Sequence, residues 1–187
     1  MLKKIMRIVC AGLLLLSLCA HAEPTGFRSY QLTQHGTLQL SVPRSWNDQM
    51  KPRQQGAPPT LLFTPERGNS FDMRVTPIWP PKPDAAMPDS EAIKRYVSKA
   101  AEDAKAQAAE TSIPIQEIQG TTGSGYYFAI TDRAPKPDEF KYMTQGMLRV
   151  GNLVLAFTLL SNDGAETAVK DALTMFKSAQ QIEAANR

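Results

Sequence analysis

Alternating apolar and polar residues in the first half of the chain predict a series of short β-strands. In the segment TLQLSV, Leu38, Leu40 and Val42 alternate with polar residues, which is the period of a strand with one buried face. Pro43 ends this segment, because proline cannot donate a hydrogen bond to a β-ladder. Trp46 is then expected to fold back over the edge of the core. The strands predicted in this half span residues 27–32, 37–42, 60–64 and 70–78.

Apolar residues at helical spacing predict a long helix from residue 89 to about residue 110. Its apolar stripe runs from Ile93 to Ala108, and charged residues lie off the stripe. A second helix is predicted near the carboxyl terminus, because Asp163 and Glu166 have the spacing of a capping box.

Four further strands are predicted in the second half of the chain. The last of them is apolar at nearly every position, so it is expected to lie centrally in the sheet with both faces covered. Two helices on a mostly antiparallel sheet of about six to seven strands form an α+β fold. Residues 23–187 are expected to be one domain, frayed from residue 182 onward. The four strands span residues 113–118, 126–131, 142–150 and 153–161.

The amino terminus has the composition of a secretory signal peptide. Basic residues precede an apolar stretch from Ile8 to Leu18, and cleavage after Ala22 leaves Glu23 as the mature amino terminus. A retained anchor and a lipoprotein attached through Cys19 are alternatives, although the residue before a lipobox cysteine is normally small. The protein is therefore expected in the periplasm, without stable membrane insertion once the leader is removed.

Removal of the leader changes the charge and the cysteine count. The whole chain carries a formal net charge of +3, with 21 Lys and Arg against 18 Asp and Glu. Three of the basic residues and none of the acidic ones lie in the leader, so the rest is neutral and is not expected to bind nucleic acid. Cys10 and Cys19 also lie in the leader, which excludes disulfides, thiolate catalysis and Cys-ligated zinc from the mature chain.

Few residues after the leader have the chemistry of a catalytic or metal site. His35 is the single histidine there, and its place beside Gly36 predicts an exposed turn residue, not a general base. A metal site built on imidazole needs two or three histidines. We therefore expect no catalytic residue, metal or cofactor, although a pair of carboxylates acting as in glycosidases needs no sequence signature.

Residues 132–139, charged and proline-bearing, are the main candidate for a binding surface. Such a segment is typical of a solvated hairpin loop, but a stiff loop also loses little entropy when it docks. Trp79 is either a lid on the core or an exposed interface anchor. Replacing Arg133 and Lys136 by alanine is expected to weaken partner capture and to leave the melting temperature nearly unchanged. The candidate partner-binding residues are Trp79, Asp132, Arg133, Lys136, Asp138 and Tyr142.

The order of elements and one short motif resemble a known family. Val42 to Trp46 read V-P-x-x-W after an alternating strand, and a long helix, a run of strands and a closing helix follow. With these features the chain resembles the PsbP-like superfamily over nearly all of its mature length. The resemblance implies an α/β/α sandwich, binding of protein or ligand without known catalysis, and a relation to bacterial envelope members such as DcrB and LpqN.

Together these features predict an exported, soluble, non-catalytic binding or accessory protein of the bacterial cell envelope. Its partner is expected to be another envelope protein. One alternative is an inhibitor or immunity protein against a toxin or hydrolase, which would have a single tight partner. Another is a carboxylate-dependent hydrolase, and a small-ligand carrier would show a deep apolar cavity.

Overall fold

The computed structural model describes residues 23–52, 57–80, 82 and 85–183. The predicted leader, with Cys19 and the cleavage site after Ala22, lies outside the described residues. Within them, every pair of neighbouring strands is antiparallel. In chain order the elements are β1 (Thr25–Leu32), β2 (Gly36–Pro43), β3 (Trp46–Lys51), β4 (Thr60–Pro65), β5 (Phe71–Ile78), α1 (Ser90–Ala104), β6 (Gln116–Gln119), β7 (Ser124–Thr131), β8 (Tyr142–Val150), β9 (Leu153–Ser161), α2 (Glu166–Lys177) and β10 (Gln180–Ile182).

The strands divide into a main sheet and a small sheet. The main sheet has seven strands in the order β3-β4-β5-β9-β8-β7-β6, and β1, β2 and β10 form the small sheet. This confirms the predicted α+β class, the size of the main sheet and the central place of β9. Helix α1 covers one face of the main sheet, whereas α2 and the small sheet cover the other, so the layers form an α/β/α sandwich.

The larger of two cores lies between the main sheet, α2 and the small sheet. Every second residue of β2 and of β5 is buried in it, as the alternation predicts. Phe176 of α2 is fully buried and stacks on Phe157 of β9, with 4.3 Å between ring centroids. Trp46 is also buried, and its ring centroid lies 4.7 Å from that of Phe71. These aromatic pairs tie α2 and the start of β3 to the main sheet.

The smaller core lies under α1. Ile93, Val97 and Ala101 form the buried stripe of the helix and belong to one cluster with Phe128 and Ile130 of β7. Because α1 packs on β7 and β8, the outer strands on the same face are left without a helix above them. Neither α1 nor α2 in the described chain is long and apolar enough to cross a bilayer.

Helix α1 is shorter than predicted. It begins after Asp89, whose carboxylate accepts a hydrogen bond at 2.7 Å from a backbone N–H of the first turn. It ends at Ala104, because the following residues pair with the end of β7. The Ala109 N–H donates to the Thr131 carbonyl at 2.8 Å, so the Ala-rich continuation of the stripe is buried without being helical.

Three other local predictions are wrong. β3 was not predicted as a strand, because in this edge strand only Trp46 is buried and no alternation results. β10 pairs with β2, so regular structure reaches Ile182, where fraying was expected. The capping box does not form: Ala165 is the N-cap of α2, and the carboxylate of Asp163 binds Lys141.

Candidate functional site

A wide cleft lies at the end of the main sheet where β5 and β8 finish. Its volume is about 1290 Å³. The walls come from the β1–β2 turn, the end of β3, the residues after β5, the β8–β9 turn and β10, so the cleft joins the two sheets. We call it the end cleft and define it by Gln31, His35, Met50, Trp79, Arg149 and Gln181.

An aromatic pair forms one wall of the end cleft. The rings of His35 and Trp79 stack with 4.2 Å between centroids and 21° between planes. Burial lowers the pKa of His35 from its ordinary value, because desolvation disfavours the charged ring. His35 does lie in a turn, but it is half-buried against Trp79, so the expectation of an exposed side chain is wrong. Trp79 is partly buried, packs on the larger core and also lines the cleft.

Gln181 holds three parts of the end cleft together. Its side-chain oxygen accepts a hydrogen bond from the Asn152 N–H at 2.7 Å, and its Nε2 donates to the His35 carbonyl at 2.9 Å. Gly151 sits beside it with φ +59°, and a Cβ at that position would lie 2.7 Å from the Gln181 oxygen. The sequence gives no sign of this role, because a polar residue near an expected frayed end has no pattern that marks it.

The residues that line the end cleft, among those that the structure describes, are mixed in polarity and carry a net positive charge. Trp79, Met50 and Met87 contribute apolar surface, together with several prolines. Arg149 and Lys82 are the charged residues among the described lining, and the Arg149 Nε donates to the Gly151 carbonyl at 3.2 Å. Such a surface suits a partner that offers both apolar and acidic or carbonyl groups.

The six candidate binding residues lie at two ends of the main sheet. Trp79 follows β5, whose last residue pairs with Val154 beside the β8–β9 turn. The 132–141 loop joins β7 to β8 at the other end, where Tyr142 pairs with Ser161. Asp132, Arg133, Lys136, Asp138 and Tyr142 therefore lie together around this loop, and Trp79 lies apart from them.

The 132–141 loop is exposed and internally bonded. Residues 133–139 are all exposed. The Asp132 carboxylate accepts from the Ala134 N–H at 2.9 Å, and the Glu139 carboxylate accepts from the Lys136 N–H at 3.1 Å. Asp138 has φ +69°, which an aspartate tolerates better than most residues. The loop is thus a pre-formed turn, as its prolines suggested.

Arg133 has a structural contact that its sequence position does not reveal. Its Nη2 and Nε donate to the Ala108 carbonyl at 2.8 and 3.2 Å, which ties the loop to the residues after α1. We therefore expect Arg133→Ala alone to lower the free energy of unfolding by about 1 kcal/mol, because a charged donor is lost. Lys136, whose side chain is 79% exposed, makes only a surface ion pair with Glu139.

Thermal unfolding of the two single variants tests this difference. The expected fall in Tm for Arg133→Ala is roughly 2–4 °C, with no change beyond error for Lys136→Ala. Equal Tm values for both variants would contradict the structural role of Arg133. Because of this contact, we now expect the double alanine variant to melt about as low as Arg133→Ala alone, and not at the temperature of the parent protein.

Tyr142 is also engaged within the chain. Its hydroxyl donates to the Asp163 carboxylate at 2.5 Å, and the Lys141 Nζ lies 3.1 Å from both oxygens of the same group. Hydrogen bonds from Tyr142 and Lys141 lower the pKa of Asp163. Among the described residues, no group of three or more His, Cys, Asp and Glu side chains could hold a metal ion.

The comparisons with known proteins concern the fold. No protein-family model matches the chain, and no curated protein does. The solved structure of cyanobacterial PsbP, CyanoP from Synechocystis sp. PCC 6803, aligns with 89% of this chain and 99% of that chain, at 14% identity and a TM-score of 0.51. This chain has a PsbP-like fold. The expected resemblance is confirmed at the level of the PsbP-like fold.

A second solved structure is a protein from Bacteroides thetaiotaomicron VPI-5482. It aligns with 80% of this chain, at 12% identity and a TM-score of 0.48. The alignment covers 47% of that protein, so this chain spans about half of its length.

Proposed function

We propose that this protein is a non-catalytic binding protein of the bacterial cell envelope and that its end cleft receives a segment of another exported protein. The observation that carries the proposal is the cleft itself. Its volume of about 1290 Å³ is larger than the ~300–1,000 Å³ of small-molecule sites. It is open and mixed in polarity, which fits an extended polypeptide better than a buried small ligand.

Contacts within the chain fix the part of the end-cleft wall that contains His35, Trp79 and Gln181. Gln181 fixes the β8–β9 turn to the His35 turn, and Trp79 is held between His35 and the larger core. A site that is already ordered loses little conformational entropy on association. Trp79 and the nearby methionines supply the aromatic and adaptable contacts that are frequent at protein interfaces.

The predicted leader and the implied relation to DcrB and LpqN support a periplasmic location in this proposal. After removal of the leader the remaining residues carry equal numbers of basic and acidic groups. A protein partner is therefore favoured over nucleic acid, whose recognition needs a basic surface. The proposal includes no catalytic step and no cofactor.

Site-specific photocrosslinking in cells that produce the full chain tests the proposed contact. The photoreactive residue p-benzoyl-phenylalanine replaces Met50, which is 40% exposed in the end cleft. A matched position is Arg67, an exposed residue of the β4–β5 turn at the other end of the sheet. A third position, Lys136, tests the 132–141 loop.

We expect the photoreactive residue at position 50 to form one stoichiometric adduct with an exported protein. The same residue at position 67 should form none. Trp79→Ala should reduce that adduct by about tenfold, since aromatic anchors at interfaces are worth more than 1 kcal/mol. If the adduct formed from position 136 and not from position 50, the partner would bind the 132–141 loop, and the proposal that the end cleft is the binding site would be refuted. Equal adducts from Met50 and Arg67, or turnover of a substrate by the purified chain, would refute the proposed function.

A further inference from the structure

The face of the main sheet that carries α1 is only partly covered, and the open part is polar. Helix α1 packs on β7 and β8, so positions on β9, β5 and β4 beside it are left open. The strand register arranges these positions in rows across the sheet. Leu62, Arg74, Thr158 and Gln145 are successive cross-strand partners in one row. The next row contains Thr60, Thr76, Ala156 and Met147.

A groove of about 300 Å³ runs between α1 and these rows, and we call it the α1 groove. Tyr96, Val97 and Ala100 line it from the helix. The two rows, apart from Leu62, line it from the sheet. Tyr96 is 57% exposed, so a large aromatic ring stands at the rim of the groove and outside the core. The volume lies at the lower limit of ligand sites, about 300–1,000 Å³, which suits a small ring system.

Apart from Arg74, the polar groups that line the α1 groove are uncharged hydrogen-bonding groups on a surface with small apolar residues. Thr158 offers a hydroxyl that both donates and accepts, and Gln145 offers an amide with donors and an acceptor. The Thr76 hydroxyl shares a hydrogen bond of 3.2 Å with that of Thr60. Ala156 leaves room between these groups. The Arg74 Nε donates to the Asp72 carboxylate at 3.2 Å, which balances the charge and leaves its other N–H groups for a ligand.

This set of groups discriminates between classes of ligand. An acidic ligand would require an excess of positive charge, but the cation of Arg74 is balanced by Asp72. An apolar ligand would leave the hydroxyl and amide groups without partners, and each such loss is costly. A ring with several hydroxyls satisfies donors and acceptors together, and its C–H face can lie against the negative face of an aromatic ring such as Tyr96.

We propose that the α1 groove is a binding site for a neutral saccharide. Arg74, Thr158 and Gln145, neighbours on three adjacent strands, bind the hydroxyls, and Tyr96 packs on one face of the sugar ring. This inference does not depend on the end cleft or its protein partner, although Thr60 and Met147 bring the groove close to Pro59 and Arg149 of the cleft.

The test is titration calorimetry of the purified chain with four trisaccharides. Maltotriose, cellotriose and chitotriose are neutral, and trigalacturonate is the anionic counterpart. The variants Thr158→Val and Gln145→Leu remove one polar group each while keeping the size of the side chain. Thr64→Val is the matched control, because Thr64 lies on the same face of β4 but outside the groove.

We expect at least one neutral trisaccharide to bind with a Kd below about 10 mM. Thr158→Val and Gln145→Leu should each weaken it about three- to tenfold, and Thr64→Val should not. Failure of all three neutral sugars, stronger binding of trigalacturonate, or equal affinities of groove and control variants would overturn the proposal. The cleft variant Met50→Glu should retain sugar binding, which separates this inference from the proposed protein contact. Tm values of all variants verify that each one is folded.

Discussion

Replacement of Phe176 by alanine is expected to lower the free energy of unfolding by about 3–5 kcal/mol. Phe176 is fully buried on α2 and stacks on Phe157 of the central strand β9. Its removal loses the transfer free energy of the ring and leaves a cavity where the helix meets the sheet, because close-packed neighbours relax only partly. The aromatic pair contributes a further share through its stacked geometry.

Urea-induced unfolding measures this effect, and Phe27→Ala is the matched control. Phe27 is 78% exposed on β1, so its replacement removes the same ring without creating a cavity. The control is expected to stay within about 0.5 kcal/mol of the parent protein. In thermal unfolding, Phe176→Ala should melt roughly 10 °C lower or more. A loss below about 1 kcal/mol would show that α2 does not depend on this contact.

The second large effect is expected at Gly146, in the middle of β8. A Cβ at this position would lie 2.5 Å from the Tyr126 carbonyl oxygen and 2.6 Å from the Phe157 ring. Backbone and a core ring cannot both move away, so Gly146→Ala should cost about 1–3 kcal/mol or more through overpacking. The absence of a side chain here is what allows β7 and β8 to approach under the core.

Gly26→Ala provides the comparison for Gly146→Ala. A Cβ at Gly26 in β1 meets no atom within 4 Å. Its replacement should therefore be neutral or slightly stabilising, because alanine restricts the unfolded chain. Chemical denaturation of both variants gives the difference directly. Similar denaturation midpoints for the two variants would show that the sheet accommodates a methyl group at Gly146, and this would contradict the prediction.

The elements with a strong apolar pattern could be predicted from the sequence nearly to the residue. β8 and β9 have the predicted bounds, and the continuous apolar pattern of β9 placed it in the centre of the main sheet. β3 and β10 escaped prediction because an edge strand and a three-residue strand bury too few side chains to leave a pattern. The end of α1 was placed too late, since Ala108 fits the helical spacing but is buried by pairing with Asp132.

The candidate sites were harder to predict, because they depend on residues that meet only after folding. Trp79 was identified by its residue type, but its partner His35 lies more than forty positions away and was expected to be exposed. Gln181 comes from the other end of the chain. The α1 groove depends on the register of β5, β9 and β8, which alternation along a single strand does not specify.

The pairing of β10 with β2 has a consequence for biosynthesis. Gln180–Ile182 add the third strand to the β1–β2 hairpin, so the small sheet is completed only after a segment much later in the chain has been synthesised. A two-stranded hairpin alone is marginally stable in water, and contacts between distant parts of a chain form slowly. The β1–β2 hairpin must therefore wait for β10, and for the main sheet and α2 that are made in between, before its own sheet is complete.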